Sequence, residues 1–444
     1  MNKKKIKILE VHSLLIYAGG QRNILTFEKY FRKDVFDVHV MGYLAGGNLE
    51  PELKKRNIPY IVGNGDIAVI QENLQKEQYD VIHFHRSGGH VQLETDLIVF
   101  AKKINPNVVI IEKNVFGGYD SSTKRLIDCH FFQSMMHLNE RYLPAAKTAF
   151  NFATMKVLYN MVDKEEFEKY LASEKEIHTF RASLDLTDND YVVGKVGRKT
   201  IAKWSDMVID MAPYLRKLVP NAKIVLVGCP DSRKKRIARS KYVHMFRCVE
   251  PFATQQELHV FYQSIDVLTH SSKIGECNGN TINEAFFWKK PVITNSTPRK
   301  DNGQLEQVVH EKTGLIANNP ITFAKAIYRL WQHKNFAFEL GKNGFDQISR
   351  VNDPKHVTQQ VEKFLIELMW KNDTWKLLPA SDYQHVFYNP AENEIVSYKQ
   401  EYQKRLQWGE ESLTFFEKCK SLMLQPKKNY WKIRDFIEDH FLNK

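Results

Sequence analysis

The sequence predicts an α/β fold in which two doubly wound parallel sheets face a cleft, followed by a helical C-terminal appendage. Strand-sized apolar runs alternate with amphipathic stretches over the first 160 residues, a pattern that indicates βαβ units. The alternation starts again near Tyr191, which predicts a second domain of the same kind. We therefore assign residues 1–165 and 166–372 to two Rossmann-like domains. Residues 373–444 are rich in aromatic residues and charges of both signs, and are predicted to form a mostly helical extension.

In the first domain, short apolar runs are separated by stretches with helical spacing. We predict strands at 6–11, 35–43, 58–62, 79–84, 107–111 and 130–133. A helix is expected at 21–31, directly after Gly19 and Gly20. The unbroken apolar run from Val108 to Ile111 is typical of a strand that is covered on both faces. Ligands of such sheets bind beyond the carboxyl ends of the strands, so the loops that follow strands are the places to search for a site.

The second domain repeats this alternation after a polar stretch at 163–190. Strands are predicted at 191–196, 223–227, 242–247, 266–270 and 291–294. Helices are predicted at 205–218, 255–262, 281–288, 321–332 and 357–369. The first of these helices is indicated by Met207, Met211, Leu215 and Leu218, which recur at helical spacing.

The amino-acid composition excludes several classes of protein and favours anionic partners. With 43% hydrophobic and 26% charged residues, the chain is neither disordered nor fibrous. No apolar run approaches the roughly 20 residues that a membrane span needs. Five dispersed cysteines indicate reduced thiols, and Glu10 interrupts the apolar start, so a cytoplasmic protein without a signal peptide is expected. The net charge of +12 favours anionic partners, and a peripheral membrane contact stays open among them.

The segment 275–285 is the most informative motif. It follows a predicted strand and opens a predicted helix, where free backbone N–H groups and the positive end of the helix dipole attract phosphate. Glu276 in the loop and Glu284 on the helix could accept hydrogen bonds from hydroxyl groups of a sugar and a ribose. Spacing alone leaves an ordinary helix start with two solvated acids equally open.

Two other loops place further candidates after strands. Arg198 and Lys203 follow the first strand of the second domain and could bind a diphosphate, although a solvated basic loop is the commoner case. The segment 83–90 holds His83, His85 and His90. With no carboxylate or cysteine close by in the sequence, a metal site is not favoured, and His85 is the better candidate for pointing into a cleft.

Taken together, these motifs resemble the signature of family 4 GT-B glycosyltransferases, which are retaining enzymes that use nucleotide sugars. The resemblance covers about residues 6–370. It comprises the Gly19-Gly20 pair, His83-Phe84-His85, segment 160–163, Gly197-Arg198 with Lys203, segment 275–285 and segment 303–314. Asn278 replaces the usual Phe of the pattern, and Trp204 replaces a usual Gly.

The resemblance implies a role for each matching residue. The catalytic residues would be Glu276, Arg198, Lys203 and His85. The donor-binding residues would be Gly20, Gly279, Asn280, Thr281, Glu284, Cys277 and Asn278. In this scheme the two cations neutralise the donor diphosphate, the backbone N–H groups at the helix start hold its phosphates, and His85 lies over the donor sugar.

The function implied is sugar transfer from a nucleoside-diphosphate sugar to a hydroxyl group of a glycan, lipid-linked or other acceptor, with no cofactor and no metal. The alternative is a non-enzymatic or degenerate GT-B protein that binds anionic ligands or a membrane surface. Nucleic acid is disfavoured, because acids balance the bases of the C-terminal extension and leave no concentrated basic arm.

Overall fold

The computed structural model describes residues 5–16, 19–86, 90–114, 120, 122–136, 155–297 and 300–371. The predicted extension at 373–444 lies outside these residues. Across the described chain, the strands form two parallel sheets with helices on both faces, which confirms the predicted α/β class and the two Rossmann-like domains.

The first sheet has the strand order β3-β2-β1-β4-β5-β6-β7, with parallel pairing throughout. Its strands are β1 Ile6–Leu14, β2 Phe36–Ala45, β3 Tyr60–Val62, β4 Val81–Arg86, β5 Val109–Asn114, β6 Cys129–Phe132 and β7 Met155–Val157. Its helices are α1 Gly19–Tyr30, α2 Glu50–Lys55, α3 Ile67–Glu77 and α4 Gln92–Ile104. Every residue of β5 is buried, as the apolar run predicted for a strand covered on both faces.

The second sheet has the order β10-β9-β8-β11-β12-β13. Its strands are β8 Tyr191–Val196, β9 Ala222–Val227, β10 Phe246–Val249, β11 Val267–His270, β12 Val292–Thr294 and β13 Gly314–Ile316. The helices from the junction onward are α5 Lys164–Glu168, α6 Glu174–Ser183, α7 Met207–Asp210, α8 Ala212–Leu218, α9 Asp231–Ala238, α10 Gln255–Ser264, α11 Asn280–Phe287, α12 Gln304–Gln307, α13 Pro320–Gln332, α14 Lys334–Val351 and α15 Pro354–Lys371. Helix α10 begins with a capping box between Thr254 and Glu257.

Two predicted elements of the second domain differ in the structure. The helix predicted at 205–218 is divided into α7 and α8, because Pro213 has no N–H to donate and its ring would clash with the preceding turn. The strand predicted at 242–247 is a short helical turn at Val243–Met245 followed by β10. Both changes leave the strand order and the site loops in place.

Helix α15 leaves the second sheet and packs on the first. Its residues Val357, Val361 and Phe364 join a core cluster with Ile8 and Phe27 of the first domain. Glu362 accepts a 2.7 Å hydrogen bond from the backbone N–H of Arg32. The sequence assigns this segment to the second domain, but its apolar stripe is buried against α1 and the first sheet.

The two domains meet at the carboxyl ends of their strands. Glu306 of α12 accepts hydrogen bonds from the hydroxyl of Tyr159 and, at 3.2 Å, from the backbone N–H of Met136. Arg22 of α1 forms a 2.7 Å ion pair with Glu284 of α11. The loops that follow the strands therefore face each other across one interface. Among the described residues, no helix is both long and apolar enough to cross a membrane.

Candidate active site

Glu276 and Lys203 form an ion pair at the carboxyl edge of the second sheet. Glu276 lies in the loop between β11 and α11, and Lys203 ends a short helical turn after β8. The Lys203 Nζ lies 2.7 Å from Glu276 Oε1, and His270 Nε2 lies 3.4 Å from the same oxygen. The backbone N–H of Glu276 donates to Gln304 Oε1 at 3.0 Å. Glu276 is thus held at its carboxylate by Lys203 and His270, and at its backbone N–H by Gln304.

The pairing keeps Glu276 ionised. Burial raises the pKa of its carboxyl group, but the His270 hydrogen bond and the charge of Lys203 oppose burial and bring this pKa down to about 2. An ionised carboxylate accepts hydrogen bonds only, which suits it to hold sugar hydroxyl groups.

The loop that carries Arg198 is shaped by a buried tryptophan. Trp204 is fully buried and its indole N–H donates to the Arg198 carbonyl oxygen at 3.0 Å. Gly228, whose φ is +76°, lies under the same loop, and a Cβ there would meet the carbonyl oxygen of Gly197 at 2.2 Å. Arg198 itself is exposed, and its side chain has no hydrogen bond or ion pair with the part of the chain that is described. Its guanidinium group is therefore available to an anion.

Helix α11 begins at the residues that the sequence assigns to phosphate binding. Gly279 caps the helix, but its N–H already donates to Gln307 Oε1 at 2.7 Å. For the N–H groups of Asn280 and Thr281, no acceptor is found within the described ranges. Of the three predicted backbone donors, these two are therefore open to an acceptor from outside the described chain, such as the phosphate oxygen that the sequence predicts.

Glu284 is buried and lies between the domains. It accepts hydrogen bonds from the Tyr262 hydroxyl at 2.7 Å and from Arg22 at 2.7 Å, and Arg22 also donates to Gln255 at 3.1 Å. The carboxylate predicted to bind a ribose is therefore engaged by a guanidinium group of the first domain. A ribose at this position would share Glu284 with Arg22 or displace it.

Cys277 and Asn278 line the interior side of the same loop. Both are buried, and burial raises the pKa of the Cys277 thiol well above its usual range, so the sulfur stays protonated and unreactive at neutral pH. The Asn278 carbonyl oxygen accepts a 3.0 Å hydrogen bond from Asn160 of the junction. These residues shape the loop from behind.

In the first domain, Glu10 supplies the carboxylate that the histidine segment lacks in the sequence. Its Oε2 lies 2.6 Å from His85 Nε2 and 3.0 Å from His83 Nδ1, and all three side chains are buried. Burial lowers the pKa of His85 to about 4. His90 lies apart from the three, on Asp120.

Among the described residues, Glu10, His83 and His85 form a group of side chains that could hold a metal ion. However, two ligands around a tetrahedral zinc ion are about 3.3 Å apart. The 2.6 Å separation of Glu10 and His85 is the distance of a hydrogen bond. We therefore describe these side chains as a hydrogen-bonded cluster, in which His85 uses one ring nitrogen for Glu10.

The segment that contains the site residues of the second domain is similar to known glycosyltransferases. Residues 190–333, which contain Arg198, Lys203, Glu276 and Glu284, match the model of the family described as glycosyl transferases group 1. The chain contains a group 1 glycosyltransferase domain. It is also 24% identical over 204 residues to trehalose synthase of Thermococcus litoralis, a match that covers 44% of this chain. The match spans about half the length of that relative, 47%.

Solved structures show that the fold around the glycosyltransferase domain is GT-B-like. Anabaena HepE in complex with UDP and glucose superposes with a TM-score of 0.66, at 19% identity over 82% of this chain and 100% of HepE. A glycosyltransferase from Rickettsia africae superposes with a TM-score of 0.67, at 18% identity over 82% of this chain and 99% of the other.

Three side chains that sequence reasoning misses support the predicted residues of the glycosyltransferase domain. Gln304 and Gln307 of α12 hold the backbone N–H groups of Glu276 and Gly279. Lys195 lies 4.9 Å from the Trp204 ring centroid and donates to the Ser271 carbonyl oxygen at 2.9 Å. The position of Lys195 within an apolar strand is the one sequence signal that could have revealed it. Nothing in the sequence around Gln304 and Gln307 distinguishes them from ordinary helix residues.

Proposed function

We propose that this chain is a retaining glycosyltransferase that moves a sugar from a nucleoside-diphosphate donor to a hydroxyl group. The observation that carries the proposal is the presence of three features in the loops after β8 and β11, which are neighbouring strands of the sheet. They are the exposed Arg198, the Lys203–Glu276 ion pair, and the open N–H groups of Asn280 and Thr281. The UDP bound in HepE supports a nucleotide donor.

The chemistry needs groups that act where charge develops. Breaking the anomeric bond places negative charge on the departing diphosphate and positive charge on the sugar. Arg198, Lys203 and the start of α11 would stabilise the diphosphate, and preorganised donors of this kind are worth about 10²–10³ in rate each. Glu276 would accept hydrogen bonds from the sugar hydroxyls and favour the cationic sugar.

These cations would take the place of a metal ion on the diphosphate, so we propose a metal-independent reaction without a cofactor. The acceptor hydroxyl would attack from the face that the diphosphate leaves, with the leaving phosphate taking its proton. This front-face course retains the anomeric configuration. His85 would lie over the sugar, and Gly20, at the start of α1, would approach the phosphate from the first domain.

For the acceptor we propose a glycan or lipid-linked molecule, and for the enzyme a cytoplasmic location. The surplus of positive charge suits a glycan or lipid-linked acceptor that carries anionic groups, reached from the cytoplasm with or without a peripheral membrane contact.

A thermal-shift screen of UDP-, GDP-, ADP- and TDP-sugars tests donor binding, because a bound ligand raises the melting temperature by mass action. We expect one nucleotide to stand out. Glu276→Ala and Arg198→Ala should then lower transfer by about 10²–10³ with the circular dichroism spectrum unchanged. Glu339→Ala, an exposed change on α14, is the control and should keep full activity.

The outcomes separate the alternatives. Turnover of Glu276→Ala and Arg198→Ala at the wild-type rate would refute the site. Donor binding by wild-type protein, without transfer to any acceptor tested, would support the degenerate GT-B protein instead.

A further inference from the structure

The side chain of Asn160 joins the two domains through one amide group. Its Oδ1 accepts hydrogen bonds from Lys113 Nζ at 3.1 Å and from Asn23 Nδ2 at 3.2 Å, both in the first domain. Its Nδ2 donates to the Asn278 carbonyl oxygen and to Asn280 Oδ1, each at 3.0 Å, in the second domain. A side chain that is only 6% exposed thus makes four hydrogen bonds, two to each domain.

The orientation of this amide follows from its partners. A protonated or neutral lysine Nζ carries hydrogens to donate, and a backbone carbonyl oxygen can only accept. The oxygen of Asn160 must therefore face Lys113, and its NH₂ group must face the Asn278 carbonyl oxygen. The opposite orientation would place donor against donor and acceptor against acceptor.

The backbone at Asn160 is held as firmly as the side chain. The Asn352 side chain, just before α15, donates to the Asn160 carbonyl oxygen at 2.6 Å. The Val162 N–H donates to the Asn352 carbonyl oxygen at 2.9 Å. The two crossings of the chain between the domains are thereby tied together at Asn160, which aims its amide at the start of α11.

We propose that Asn160 is a positioning residue that fixes the first turn of α11 against the first domain, and so sets the place where the Asn280 and Thr281 N–H groups receive the donor diphosphate. The inference rests on the proposed function, because it assigns that site its geometry. Asn160 does not touch the reacting atoms. It acts through the loop at Asn278 and the side chain of Asn280, which precede and begin the phosphate-binding turn.

Asn160→Asp separates positioning from a merely structural role. The carboxylate keeps the size of the amide and gains an ion pair with buried Lys113, whose pKa burial lowers to about 7. On the other side, an acceptor oxygen would face the Asn278 carbonyl oxygen at the former hydrogen-bond distance. We expect the variant to fold and to stay close to wild-type stability, because the new ion pair with Lys113 offsets the two hydrogen bonds lost to Asn278 and Asn280, while the first turn of α11 moves away from the first domain.

The experiment measures binding of UDP, GDP, ADP and TDP by calorimetry, and the free energy of unfolding in urea, for wild-type, Asn160→Asp and Asn23→Ala proteins. Asn23→Ala removes one hydrogen bond to the same oxygen without touching the second domain. The nucleotide that wild-type protein binds should bind Asn160→Asp about ten- to a hundredfold more weakly, which is the loss expected when the displaced turn no longer donates one hydrogen bond to a charged phosphate. Asn23→Ala should bind within about twofold of wild type.

Each outcome decides a separate point. Equal nucleotide affinity in wild type and Asn160→Asp would overturn the inference and leave the proposed function intact. A loss of stability in Asn160→Asp with unchanged affinity would assign Asn160 a structural role only, which also overturns it. Failure of wild-type protein to bind any of the four nucleotides would refute the proposed function, and the inference with it.

Discussion

Replacing Lys203 by methionine tests the charge arrangement of the site most directly. Methionine keeps the length of the apolar stem and removes the ammonium group that pairs with Glu276 at 2.7 Å. Two consequences are expected. The diphosphate loses one of its cations in the transition state, and Glu276 loses its cationic partner in the free protein.

The structure gives the size of the second effect. The pKa of Glu276 is about 2, against an ordinary value of 4.5, although burial alone would raise it. At 1.36 kcal/mol per pKa unit, its partners favour the ionised form by about 3 kcal/mol net of burial. Because His270 and Lys203 share this effect, the variant should lose about 1–2 kcal/mol of stability at pH 7.

The pH dependence has a defined sign. A carboxyl group with a lowered pKa in the folded state contributes stability above pH 4.5, and that contribution is lost as the pH falls towards 2. The Lys203→Met variant should therefore differ from wild type in stability at pH 7 and converge with it near pH 2, as measured by urea unfolding.

Activity provides the decisive assay. Release of nucleoside diphosphate from the donor should fall by about 10²–10³ in Lys203→Met. Lys199→Met is the matched control, because Lys199 lies on the same loop but pairs with Asp231 and Glu250, away from Glu276. Turnover of Lys203→Met within threefold of the Lys199→Met rate would refute the reasoning.

Two further predictions concern the buried side chains of Trp204 and Lys113. Trp204→Phe removes the hydrogen bond to the Arg198 carbonyl oxygen together with part of a fully buried ring whose centroid lies 4.9 Å from Lys195 Nζ. It should raise the KM for the donor severalfold, because the loop loses one restraint, and lower the melting temperature by a few degrees, because a cavity remains. An unchanged KM would show that the tryptophan only fills space. Lys113→Met should flatten the dependence of stability on pH between 7.5 and 9.5. Burial lowers the pKa of Lys113 to about 7, so over this range the unfolded chain binds one more proton and wild-type stability rises by about 1.4 kcal/mol per pH unit from this group. If the free energy of unfolding in urea rose equally steeply with pH in the two proteins, this prediction would be contradicted.

Local sequence patterns predicted the order of strands and helices because each element is stabilised by neighbours in sequence and by burial of its own apolar face. The run at 108–111 predicted β5, and helical spacing predicted α10 and α13. The same spacing concealed the break at Pro213, where a backbone constraint prevails over the apolar pattern. The packing of α15 on the first sheet depends on a chain crossing that no local pattern encodes.

The candidate residues of the second domain were found because they follow strands, where parallel sheets bind ligands. The side chains that hold these residues in place could not be found in this way. Gln304 and Gln307 reach Glu276 and Gly279 from 28 positions away, and only the folded chain brings them together. The prediction that Gly279 offers its N–H to phosphate omitted this competition, since a single sequence shows a helix start but not the acceptor that already occupies it.

Glu10 illustrates what a charge within an apolar strand can indicate. In the sequence it serves only to interrupt an apolar stretch, but in the sheet Glu10 lies beside His83, and His85 lies beside Lys113. On the sheet face that carries these side chains, β1, β4 and β5 begin with the apolar residues Ile8, Val81 and Val109. Each strand becomes polar on this face towards its carboxyl end. The change of polarity occurs at nearly the same depth in three neighbouring strands, because that is where the sheet leaves the core and reaches the interface with the second domain. A late charge in one strand is ambiguous, whereas aligned charges in adjacent parallel strands indicate the floor of a cleft.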